Sequence, residues 1–112
     1  MDKVIVKSIG SISALGKTKR EVLNSYQKAD HSFSMHPSGK WVGAISLTDD
    51  QIPLGRHNES IPFYRLDRSV LLGMYAASVC SKEAQWNDEK EVSINIGSSR
   101  GATGIFEKYA HQ

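Results

Sequence analysis

The chain has 112 residues and a mass of 12.4 kDa, which leaves room for one hydrophobic core and not for two. Hydrophobic residues make up 39% and charged residues 23%, with no low-complexity run, so a disordered or fibrous protein is not indicated. The 14 basic and 12 acidic residues are scattered and leave a net charge of +2; with no basic stripe interleaved with aromatics, nucleic acid is not expected as a partner.

Residues 3–9 carry Val4, Ile5, Val6 and Ile9 and stop at Gly10, which predicts a short buried strand. Charge interrupts this run too early for a signal peptide, and no stretch approaches the ~18 apolar residues of a membrane span. A turn over 11–16 leads to Thr18-Lys19-Arg20-Glu21, a capping box in which threonine accepts from the amide three residues on and glutamate reaches back. A helix to about Lys28 is expected behind it, with Val22, Leu23 and Tyr26 on its inner face. Residues 29–40 are rich in His, Ser, Pro and Gly, and Pro37-Ser38-Gly39 is turn chemistry before a second strand over 41–47. The polar stretch from Asp49 to Phe63 reads as loop or short helical turn.

Asp67 is placed to cap a long helix whose apolar residues, from Val70 through Cys80, run around almost the whole circumference; such a helix is expected to be buried. A polar segment over 82–91 returns the chain to a strand at Val92-Ser93-Ile94-Asn95-Ile96, making a βαβ unit if both strands join one parallel sheet. The glycine-rich run from Gly97 to Gly104 follows, with Ile105, Phe106 and Tyr109 suggesting a helix behind it. The pattern reaches Gln112 without a stop signal and reads as continuing beyond it. Neither a repeat nor an internal domain boundary is visible.

Several chemical motifs fail on spacing. Gly10 to Thr18 sits between strand and helix as a phosphate loop does, yet five residues separate Gly10 from Gly16 where four are needed, so a capped turn is the better reading. Gly97, Gly101 and Gly104 do not match dinucleotide spacing; the loop could cradle an anion or merely allow close backbone packing, and both readings stand. The single cysteine, Cys80, excludes an intrachain disulfide and fits a reducing, cytoplasmic setting. Its place on an apolar helix makes it a core residue rather than a nucleophile. His31, His36, His57 and His111 lack ligand spacing and read as solvated, so no metal or other cofactor is expected.

The order of features carries a resemblance. Ser8-Ile9-Gly10-Ser11-Ile12-Ser13-Ala14-Leu15-Gly16 resembles the opening strand and turn of the β-ketoacyl-[acyl-carrier-protein] synthases, Leu66-Asp67-Arg68 with Ala76-Ala77 resembles their Asp-Arg-headed long helix, and Val92 to Gly104 resembles the next strand with its glycine-rich loop. The resemblance implies an α/β fold: residues 1–112 as a partial N-terminal half-domain of a thiolase-like fold, a βαβ core with a long buried helix. The implied enzyme is an acyltransferase that decarboxylates a malonyl thioester and condenses it with an acyl group on a cysteine, in fatty acid, polyketide or polyene biosynthesis. Implied partners are acyl carrier protein and acyl or malonyl thioesters, in a homodimer or a ketosynthase-like heterodimer. The family's cysteine and two histidines fall beyond Gln112, so no catalytic residue is assigned here. The resemblance puts the glycine-rich loop at the acyl pocket, giving Arg100, Gly101 and Phe106 as pocket residues. The family usually has an apolar residue where Arg100 stands. Either Arg100 points into a structural network or the protein takes a polar or unusual acyl group. Two other readings remain: a non-catalytic subunit of the chain-length-factor type, and a small α/β binding module.

Overall fold

Thr18 begins the first ordered element as the capping box requires: its side chain accepts from the Glu21 amide at 3.1 Å, and the Glu21 carboxylate accepts from the Thr18 amide at 3.0 Å. Helix α1, Lys19–Gln27, follows. The computed structural model describes residues 2–29, 31–48, 51, 66–86, 92–99 and 101–110. Within them lie two strands, β1 (Phe33–Met35) and β2 (Trp41–Gly43), and two further helices, α2 (Arg68–Ala84) and α3 (Thr103–Tyr109). The described protein is thus a small mixed helix and strand structure with three helices and one two-stranded antiparallel sheet.

The hairpin is closed by the predicted turn. His36 carbonyl accepts from Gly39 N at 2.8 Å, His36 N donates to Lys40 O at 2.8 Å, and Gly39 takes φ +79°, a left-handed conformation that glycine adopts without a Cβ penalty. Register pairs Phe33 with Gly43 and Met35 with Trp41, so Phe33, Met35 and Trp41 share one face. The His31 ring stands edge-on to Trp41 with centroids 6.1 Å apart. The first of these strands was not expected, because three residues inside a His- and Ser-rich stretch give no period to read.

Helix α2 opens on Asp67, whose side chain accepts from Ser69 N at 2.8 Å. It ends where Gln85 enters the left-handed region at φ 58°, with Gln85 N donating to Lys82 O and Trp86 N to Ser81 O, the paired bonds of a Schellman ending. The core is Leu47 packed on Leu71, with Ile12, Ile45, Leu66, Leu72, Met74 and Tyr75 around them. The Arg68 guanidinium donates to Leu47 O at 2.7 Å and holds the end of the 41–48 segment on the head of α2.

Three expectations need correction. Residues 3–9 and 92–96 form no ladder, so no βαβ unit is assembled among the described residues; a strand exists only when its amides and carbonyls find a second chain segment, and neither run has one. Their side chains stand outward, Val4 at 98% and Ile96 at 84% exposure. Helix α2 is not buried all round: Leu71 and Ala84 are its buried residues, and among the described residues the 8–12 and 45–47 segments pack against one side of it. Leu23 and Tyr26 of α1 are exposed rather than inward. Residues 52–63 of the polar stretch after Asp49 lie outside the described residues.

Candidate functional site

Asp67 caps α2 and lies against the head of α3. On α2 its Oδ1 accepts from Ser69 N at 2.8 Å and from Ser69 Oγ at 2.6 Å. The cap residue of α3, Ala102, has no side chain that could serve, yet the other oxygen of Asp67 lies at that helix: a Cβ built on Gly104 would be 2.7 Å from Asp67 Oδ2. The carboxyl is held below the ordinary aspartate range, first by the Ser69 hydroxyl, then by the Ser69 amide, with lesser help from the Ile105 and Gly104 amides. A cleft of about 290 Å³ opens beside it, lined by Leu66, Arg68, Ile105, Lys108 and Tyr109 among others.

The loop that the resemblance puts at an acyl pocket ends at this junction. Gly101 takes φ +66°, and its amide donates to Ser98 Oγ at 2.9 Å, while Thr103 N donates to Gly101 O at 3.1 Å. Phe106, on α3, is 70% exposed among the described residues. Arg100 lies outside the described residues. Gly101 and Phe106 therefore lie on one short loop and the helix that follows it. Sequence spacing identified Asp67 as a cap for α2, but its reach to α3 is a through-space contact with no sequence period.

The turn over 13–17 is self-occupied. The Glu21 carboxylate accepts from Lys17 N at 2.6 Å and Thr18 N at 3.0 Å, and these bonds, the Lys17 amide first, hold its carboxyl below the ordinary range. The amides a phosphate would need are taken by this glutamate, which agrees with a capped turn. A hollow of about 360 Å³ between the turn and α1 is bounded by Lys17, Asn24, Ser25 and Lys28 among others, and Ser25 Oγ is spent on Leu15 O at 2.7 Å.

Cys80 lies half-buried on α2 beside the leading segment. Ser8 Oγ donates to Cys80 O at 2.8 Å and stands 3.0 Å from Cys80 Sγ. Among the described residues no base lies on this thiol, and its hydroxyl neighbour gives it a packing role. His36 is part of the hairpin turn, with Nδ1 2.8 Å from Ser38 Oγ, and His31 Nδ1 accepts from Phe33 N at 3.3 Å. His57 and His111 lie outside the described residues. Among the described residues no group of three His, Cys, Asp or Glu side chains could hold a metal ion, and no helix is long and apolar enough to cross a membrane.

No family model matches the chain, and no curated protein or solved structure matches it.

Proposed function

We propose that this chain is the N-terminal portion of a β-ketoacyl synthase with a thiolase-like fold, acting on acyl and malonyl thioesters carried by acyl carrier protein. The observation that carries the reading is the meeting of its first two landmarks. The leading segment crosses α2 so closely that a Cβ on Gly10 would stand 2.2 Å from Ala76 O, and Ser8 bonds Cys80 one turn further on. Such contact between backbones requires glycine, and it seats the opening turn on the Asp-Arg-headed helix.

The apolar runs on either side of α2 support the same reading. Val4, Ile5, Val6, Ile94 and Ile96 are largely exposed, and β-branched side chains of this kind suit strands enclosed in a larger sheet. In this reading the segment contributes sheet, dimer surface and acyl-pocket wall, while the nucleophilic cysteine and the two histidines come from elsewhere in the enzyme. Cys80, packed against Ser8, is not the nucleophile.

The test uses the intact protein with acyl and malonyl carrier-protein thioesters, measuring CO2 release and β-ketoacyl product. Condensation is expected, and Cys80→Ala is expected to retain it. Loss of condensation in Cys80→Ala would contradict the packing role, and condensation only with an added ketosynthase would identify a non-catalytic subunit. Arg100→Ile separates the two readings of that residue: a shift toward saturated acyl groups supports a polar-substrate pocket, and an unchanged preference rejects it.

A further inference from the structure

We propose that Asp67 is the positioning residue that ties the glycine-rich loop to the head of α2, with one carboxylate oxygen committed to each helix. The amide accounting of α3 supports this. Thr103 N donates to Gly101 O, and Ile105 N and Phe106 N both donate to Ala102 O at 3.1 and 3.2 Å. A helix start leaves first-turn amides to be met from outside the helix, and Asp67 Oδ2 stands against this first turn, 2.7 Å from where a Cβ on Gly104 would lie. Gly104 also permits the approach, since its missing Cβ is what leaves room for Oδ2.

The charged and titratable groups sharing this junction are Arg68 from α2 and Lys108 and Tyr109 from α3. Arg68 is engaged by Leu47 O, and the Lys108 ammonium lies 5.9 Å from the Tyr109 ring centre. Neither cation is within ion-pair distance of Asp67, so the carboxylate is held by the Ser69 amide and hydroxyl on α2 and lies against Gly104 on α3. Its consequence rests on the synthase reading: if Gly101 and Phe106 wall the acyl pocket, Asp67 sets where that wall stands relative to α2.

The experiment follows backbone amide shifts of the full chain by NMR as pH is lowered. Ser69, Gly104 and Ile105 are expected to share one midpoint, below the ordinary aspartate range. Serine is itself a good helix cap but is too short to span both helices. Asp67→Ser should therefore keep Val70 and Leu71 helical while abolishing the titration at Gly104 and Ile105. Gly104 and Ile105 shifts that ignore the Ser69 midpoint, or that survive Asp67→Ser, overturn the link. Should Asp67→Ser fail to fold, Gly104→Ala decides: it should displace the carboxylate and abolish the Ile105 response while Ser69 keeps its own, and a surviving Ile105 response overturns the link. In the intact protein Asp67→Ser should change acyl-chain preference. An unchanged preference overturns the step from link to pocket, and a protein without condensing activity overturns the synthase reading while the titration still judges the link.

Discussion

Gly16 is the residue on which the opening turn depends. At φ +147° it occupies backbone space that side chains rarely share, and a Cβ there would come 2.4 Å from Glu21 Cβ. Gly16→Ala should cost about 1–3 kcal/mol, seen as a lower denaturation midpoint with loss of α1 helicity. Glu21, which the turn presents to the Lys17 and Thr18 amides, makes α1 sensitive to acid. Because those amides lower its folded-state pKa, its contribution is full above the ordinary glutamate range and is lost as pH falls through the depressed value. Amide shifts of Lys17 and Thr18 should report that loss, and Glu21→Gln should abolish their pH response. At this scale the sequence was readable wherever partners lie within four residues. The Thr18–Glu21 box and the Asp67 cap were visible from spacing. The second role of Asp67 was not, because Gly104 reaches it only through the fold.

Among the elements, α1 has nine residues, too few to persist in water without help. Thr18→Ala should remove about 1 kcal/mol of that help, measured by far-ultraviolet circular dichroism under denaturant. At the other end of the scale α2 carries a correctable flaw. Gln85 holds a left-handed conformation that glycine takes without strain, so Gln85→Gly should stabilise the helix end by about 1 kcal/mol, raising the denaturation midpoint. The ion pair of Lys19 with Glu83 joins α1 to α2 but is largely solvated, and its removal should change stability little. Helices were legible because their caps and periods are local. The runs at 3–9 and 92–96 have the composition of strands, but composition does not supply a neighbour, and a ladder needs one. The hairpin was half legible: Pro37-Ser38-Gly39 announced the turn and Trp41-Val42-Gly43 the second strand, while Phe33–Met35 is defined by pairing alone.

At the scale of the molecule the decisive fact is how little is enclosed among the described residues. Leu47, Leu71 and Ala84 are the buried apolar residues among those described, against a long series of exposed Val, Ile, Phe and Trp side chains. Surface of that kind binds partners or self-associates. The isolated chain should bind a hydrophobic dye and elute from gel filtration as concentration-dependent species; a dye-silent monomer at all concentrations would favour a self-sufficient module. The contact of Ser8 with Cys80 gives that question a chemical readout. As the single thiol of the chain lies on the seam between the leading segment and α2, its alkylation rate measures how long that seam stays shut. Gly10→Ala wedges a methyl group against Ala76 and should speed labelling severalfold, whereas the enclosure that the synthase proposal calls for should slow it, so one reagent tests that proposal from a single sulfur atom.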